Sequence, residues 1–171
     1  MTPEQIAERL SGRFGFRITE ALPEDKHPRV HTKSEHWLSI ARFLKADPDL
    51  AFDFLACVSG VDYVADNQLG VVYELYSIRH EHWFAVKVYV DREDPRIPSV
   101  MDIWPAADWH EREAFDLLGI VFDGHRDLRR ILLPEDWDGY PLRKDYDFPR
   151  EFHGIPGTTE LDWSQKPDYP A

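Results

Sequence analysis

The densest gathering of chemically capable side chains lies at residues 125–146, HRDLRRILLPEDWDGYPLRKDY, where Arg126, Arg129, Arg130, Arg143 and Lys144 sit in a chain of net charge -12. Guanidinium groups present forked donors that grip carboxylates or phosphates through parallel hydrogen bonds, so the cluster suits an anion site or a ribbon that holds another protein. A plainer reading is a solvated loop balanced by its own Asp127, Glu135, Asp136, Asp138 and Asp145. The same stretch, however, carries Ile131-Leu132-Leu133-Pro134, Trp137, Tyr140 and Tyr146. Arginine mixed with aromatic side chains is the composition of a buried interface, which favours the ribbon.

Other candidate chemistry is weaker. HEREA at 110–114 begins like a zinc-protease helix, but Ala114 stands where the second histidine ligand is needed. HEH at 80–82 puts His80 and His82 on one side of an extended strand, with no third ligand near in sequence. A stand-alone metalloenzyme using His80, His82 and His110 is the competing reading, and a free-standing binding module is another. Cys57 lies in an apolar run without a basic neighbour to activate it, so a structural thiol is expected. The chain contains no GxSxG elbow, no GxGxxG and no GxxxxGK[ST], the loops that seat a serine nucleophile, a dinucleotide or a triphosphate.

Composition narrows the field further. The 171 residues suit one domain plus an arm. With 32 acidic against 20 basic side chains, long-range repulsion opposes a nucleic-acid partner. A single cysteine excludes an intrachain disulfide and an iron–sulfur cluster held by this chain alone. MTPEQIAERL lacks the layout of a secretion signal or transit peptide and reads as mature sequence. No apolar run approaches the roughly 18–20 residues of a membrane-spanning helix, so membrane contact is expected only through partners.

The elements that must position these residues follow from periodicity. Thr2 and Pro3 open a helix with Ile6 and Leu10 one turn apart, and Gly12 and Gly15 stand ready to end it. LPEDKHPRVHTK (22–33) reads as a polar loop. Ser34 then opens a second helix lined by Trp37, Ile40, Ala41 and Leu44, stopping before Pro48. AFDFLACVSGVDY (51–63) is core by composition, with a period ambiguous between helix and strand. GVVYELYSIRH and HWFAVKVYVD predict an antiparallel hairpin with Phe84, Val86, Val88 and Val90 on its dry face. A third helix is expected over IWPAADWHEREAFDLLG, with Pro105 early and Gly119 as its cap. Its stripe of Ala107, Glu111, Ala114, Phe115 and Leu118 puts a carboxylate at the centre of an apolar face. Burying that charge unpaired costs several kcal/mol by order of magnitude, so either Glu111 pairs with a cation, Arg129, Arg130 or Arg143 being the nearest in sequence, or the stripe faces a partner instead of the core; the pair is the expectation. After Gly119 the period is lost among prolines and glycines, while Trp137, Tyr140, Tyr146, Phe148, Phe152 and Trp163 argue against a plain solvated linker.

Residues 111–146 resemble the signature of the 30-kDa (C-type) family of respiratory complex I, the proton-translocating NADH:quinone oxidoreductase. The match combines Glu111-Arg112-Glu113, Phe115-Asp116, Gly119-Ile120, His125, Asp127 to Leu132 and Pro141 to Tyr146 in family order and spacing. Leu118, Arg126 and Tyr140 depart from the commoner aromatic, proline and histidine of the pattern. Related subunits serve photosynthetic NDH complexes fed by ferredoxin and membrane-bound hydrogenases. The resemblance implies an α+β fold, a small mainly antiparallel sheet packed with helices, ending near residue 125 and followed by an extended partner-binding arm over 126–171. It implies a non-catalytic structural subunit without its own cofactor, with NADH, FMN, iron–sulfur clusters and quinone on other subunits. The implied partners are subunits of D, B and I type, and the implied location is peripheral, on the cytoplasmic side of the bacterial inner membrane. Interface or bracing roles are expected for Trp109, Glu111, Arg112, Glu113, His125, Asp127, Arg129, Arg130, Trp137, Tyr140, Arg143, Lys144, Asp145 and Tyr146.

Overall fold

A computed structural model describes residues 1–149 and 151–156. Helix α1 (Pro3–Phe14) opens on a reciprocal capping box between Thr2 and Gln5 and turns away at Gly15. Strands β1 (Ile18–Leu22) and β2 (Arg29–Lys33) precede helix α2 (Ser34–Ala46). Three long strands follow, β3 (Phe54–Tyr63), β4 (Gln68–Ser77) and β5 (His82–Asp91). Then come β6 (Arg96–Pro98), helix α3 (Ala107–Leu118), β7 (Val121–Asp123), and the paired two-residue strands β8 (Glu151–Phe152) and β9 (Ile155–Pro156).

The main sheet runs β1-β2-β5-β4-β3, antiparallel except for the parallel β2–β5 pair. This is the expected α+β architecture. The expected hairpin is β4–β5, in register from Gln68–Asp91 to Ser77–His82. Phe84, Val86, Val88 and Val90 are buried with Leu69, Val71, Tyr73 and Leu75 beneath Ile6 and Leu10 of α1 and Trp37, Ile40 and Leu44 of α2. The Trp37 ring stacks 6.4 Å from Trp104 and lies 4.2 Å from Tyr73.

The segment of mixed period, 51–63, supplies strand β3. A bulge between Leu55 and Cys57 inserts one residue, so the buried Leu55 and Val58 fall three apart, a helix-like spacing within a strand. The stretch read as a polar loop contains β2, in which Val30 and Thr32 are fully buried and His31 nearly so. Its polar side chains concealed a strand sandwiched between β1 and β5. Helix α3 begins two residues after Pro105 and ends where Gly119 adopts φ +76°, the left-handed cap.

Candidate functional site

The basic stretch is built onto the end of α3. The Asp116 side chain is fully buried, and its Oδ2 accepts the backbone N–H groups of Ile131 (3.0 Å), Leu132 (2.7 Å) and Leu133 (3.0 Å). Three successive N–H groups converging on one oxygen form an anion nest. Arg130 Nη1 donates to Asp116 Oδ1 at 2.8 Å and to the Asp116 carbonyl at 2.9 Å. Its Nη2 donates to the carbonyls of Trp137 (3.1 Å) and Gly139 (3.0 Å), fixing the next turn of chain. Burial pushes the Asp116 carboxyl up, but the Leu133 N–H, the Arg130 guanidinium and the N–H groups of Leu132 and Ile131 outweigh it and hold the acid below its ordinary range.

The last carbonyls of a helix have no intrahelical donors, and those of α3 take theirs from this stretch. Beyond Arg130 on Asp116, Leu142 N–H donates to the Leu117 carbonyl at 3.0 Å and Arg143 Nε to the Leu118 carbonyl at 2.9 Å. Two guanidinium groups therefore meet the negative end of the helix dipole. Both also face the Tyr140 ring, Arg130 at 5.4 Å and Arg143 at 5.1 Å from its centroid. That ring lies against Gly119, where a Cβ would stand 2.5 Å from a ring carbon.

A second tie fixes the stretch to the sheet. Arg92 grips the buried Asp62 through Nε (2.9 Å) and Nη2 (3.0 Å), and also pairs with the exposed Asp145. Lys144 N–H donates to Asp62 Oδ2 at 2.9 Å, while the Lys144 side chain is exposed. Arg92 is the main cause that holds the Asp62 carboxyl below its ordinary range, opposed by burial and helped by the Lys144 N–H.

Glu111 departs from expectation. It is fully buried, as its place in the apolar stripe requires, but among the described residues no arginine pairs with it. Its Oε1 accepts from Val100 N–H at 2.8 Å and its Oε2 from Ser99 Oγ at 2.5 Å. Burial raises the carboxyl to about 7; the Ser99 hydroxyl and Val100 N–H pull it back, and the charge of Asp108 adds to the rise. The arm's cations go instead to Asp116 and the helix end, where the carbonyls compete for them. Near neutrality the acid can be held as a proton-bearing group, which removes the need for a cation.

The other expected residues scatter around this anchor. Arg112 is buried, donates from Nε to the Arg129 carbonyl at 3.4 Å, and lies 5.1 Å from the centroid of the exposed Trp109. The His125 side chain is enclosed, with Nε2 3.2 Å from the Asp108 carbonyl and Nδ1 accepting the Asp127 N–H at 3.1 Å. Asp127 and Arg129 pair with each other at the surface, and Glu113 is exposed. Tyr146 donates to the Asp138 carbonyl at 2.8 Å, and Trp137 packs 4.9 Å from Phe152. Trp163 and the arm beyond Pro156 lie outside the described residues. Sequence reasoning did not single out Asp62, Arg92 or Ser99, which are distant in the chain, nor Asp116 as the centre of the arrangement.

His80 and His82 direct Nε2 to the carbonyls of Pro48 (2.8 Å) and Leu50 (2.9 Å). Among the described residues no group of three or more His, Cys, Asp and Glu side chains is placed to hold a metal ion. No helix among them is long and apolar enough to cross a membrane. The arrangement anchors the irregular stretch to the end of α3 and to the sheet.

The family model described as respiratory-chain NADH dehydrogenase, 30 Kd subunit, matches residues 30–152, which take in the sheet from β2 onward, α3 and its capping stretch. The chain belongs to that family. The C-type subunit of the NADH-quinone oxidoreductase of Chloroherpeton thalassium is 59% identical over 156 residues, covering 90% of this chain and 65% of that relative. The chain therefore spans just under two thirds of the length of that member of the 30 Kd subunit family. The corresponding NADH-quinone oxidoreductase subunit of Chlorobium phaeobacteroides is 50% identical over 123 residues, 71% of this chain and 74% of the relative. Among solved structures, a trypsin-resistant fragment (1–134) of Nqo5 superposes with a TM-score of 0.63 at 36% identity, covering 75% of this chain and all of the fragment. A chain of an archaeal membrane-bound sulfane sulfur reductase shares the fold, with a TM-score of 0.72 at 23% identity over 86% of each chain.

Proposed function

We propose that the chain is a non-redox structural subunit of the hydrophilic arm of a membrane-bound NADH:quinone oxidoreductase. In this reading, residues 1–125 form the domain and 126–171 the arm that binds neighbouring subunits of D, B and I type. Electrons would pass from NADH through FMN and iron–sulfur clusters to quinone on those and other subunits. The subunit would sit peripherally on the cytoplasmic side of the bacterial membrane and meet the membrane only through its partners.

The observation that carries the reading is the family match across residues 30–152. The geometry of the stretch supports an interface: Trp109, Leu132, Leu142, Phe148 and Ile155 are each more than half exposed, while the backbone that carries several of them is tied to Asp116 and Asp62. Large apolar side chains held on a fixed backbone suit a preorganised docking surface. The names of the relatives favour NADH over ferredoxin as donor.

The test is to tag the chain in its native host, solubilise membranes in mild detergent, identify the co-purifying proteins and assay NADH- and ferredoxin-dependent quinone reduction. Recovery with iron–sulfur and membrane subunits and with NADH-dependent activity is expected. Recovery of the chain alone would refute the assignment, and activity with ferredoxin only would move the chain to another branch.

A further inference from the structure

Strands β1 and β3 are the two edges of the main sheet, so the end of α1, which feeds β1, lies across the sheet from the arm anchored at β3. At that end Gly15 takes φ +56°, a backbone that L side chains rarely adopt, and the chain turns outward. The next residue, Phe16, is 84% exposed, more than any other large apolar side chain among the described residues. Beside it Phe14 meets Phe43 edge-on at 5.4 Å, and the Arg13 guanidinium lies 5.9 Å from the Phe43 centroid. Arg13, Phe14, Phe16, Arg17, Ser39 and Phe43 together line a shallow groove with no acidic residue in its wall.

That charge is out of character for the molecule, which carries 32 acidic against 20 basic side chains. Arg9, Arg29, Arg92 and Arg130 each have a carboxylate partner, whereas Arg13 and Arg17 have none among the described residues. Arg13 can be explained as a cation at the C-terminal turn of α1. Arg17 and Phe16 lie beyond that helix and have no such role. Forked cations flanking the exposed Phe16 ring and the half-buried Phe14 match a segment with carboxylates flanking an apolar side chain.

We propose that this groove docks an acidic segment of a partner protein, its carboxylates on Arg13 and Arg17 and an apolar side chain against Phe16 and Phe43. The groove's Arg13, Phe14, Phe16 and Arg17 lie before the family match at 30–152, and the groove sits at the opposite sheet edge from the arm, so this inference stands or falls separately from the arm's role. The chain would thus be held at both edges. An anionic membrane is a poorer fit, because charge recognition of a lipid surface takes a cluster of about four to eight basic residues and this groove supplies Arg13 and Arg17 alone.

The experiment replaces Phe16 by p-benzoylphenylalanine in the full chain in its native host, irradiates the cells and maps the cross-linked peptide. The expected product joins Phe16's position to one partner polypeptide, at a segment bearing Asp or Glu. Its yield should fall about tenfold with Arg13→Glu plus Arg17→Glu, or with Arg17→Glu alone should the double variant melt early. Reversing the segment's acids to lysine should restore it. Cross-links to lipid, to a second copy or to the chain's own residues 157–171 would overturn the proposal, as would no cross-link or a yield insensitive to the charge changes.

Discussion

Arg130 reaches back from the irregular stretch to Asp116 in the last turn of α3, pairing at 2.8 Å while the carboxylate's other oxygen holds three consecutive N–H groups of the arginine's own segment. One acid thus ends the helix and begins the fold of the chain that follows. The Arg130 side chain is only 15% exposed and that of Asp116 is enclosed, so the pair belongs to the buried class.

Removing one member of such a pair costs about 3–5 kcal/mol, because the other charge is left buried. Arg130→Ala should therefore loosen residues 129–143 while leaving the sheet and α1 to α3 intact. Amide hydrogen exchange would show it, with faster exchange at Ile131, Leu132 and Leu133; unchanged protection there would disprove the anchoring role. Arg130→Lys should recover part of the protection, since it keeps the charge but loses the fork that reaches Trp137 and Gly139.

Asp62 and Asp116 are both held below the ordinary carboxylate range in the fold. Each stabilises fully above its unfolded value near 3.8, and the contribution is lost as pH falls through the lower folded values. Acid should release residues 129–145 from the domain, visible as shifts of the Leu133 and Lys144 amide resonances in an NMR titration from about pH 5 downward. Asp62→Asn should free Lys144 and weaken the Arg92 tie at neutral pH, without disturbing the Asp116 nest.

Glu111 has the opposite sign. Its folded value of about 7 lies above the ordinary 4.5, so the native state retains a proton that the unfolded chain releases. Its penalty is absent below the unfolded value and grows as pH rises through the window up to the folded one, reaching on the order of 3 kcal/mol above it. Urea melts at pH 5, 6, 7 and 8 should show stability falling with pH across this window, and Glu111→Gln should flatten the fall while preserving acceptors for Val100 and a partner for Ser99. An identical pH slope in the variant would assign the dependence elsewhere.

Gly119 combines a left-handed backbone with a close seat for Tyr140, whereas Gly124, at φ +87°, has open space where a Cβ would go. Gly124→Ala should cost about 1–2 kcal/mol for backbone strain alone. Gly119→Ala should cost more, because the Tyr140 ring must also leave its place between Arg130 and Arg143. Equal losses of melting temperature in the two variants would show that the Tyr140 seat contributes nothing.

Much was legible in local pattern. The three helices, the β4–β5 hairpin and the left-handed cap at Gly119 follow from periodicity and breakers within a few residues of each element, and the spacing of residues 111–146 displays the family directly. The buried place of Glu111 was legible too, since the helical stripe fixes its direction. Its partner was not, because a period reports which way a side chain points and is silent on what stands opposite. Strand β2 was concealed by its polar residues, and β3 by a bulge that imitates helical spacing.

What the sequence determined by itself is the kind of protein and the elements it is made from: both are written in local spacing, which the chain carries with it before folding. What only the tertiary structure decided is the electrostatic pairing, with Arg130 on Asp116, Arg92 on Asp62, and Glu111 on Ser99 and Val100 in place of Arg129, Arg130 or Arg143. Several acids and arginines compete for one another within a short stretch, and composition leaves their matching open. The choice falls to burial and distance: cations settle where a helix end and an enclosed carboxylate both draw them, and a carboxyl beyond their reach takes neutral donors and a proton.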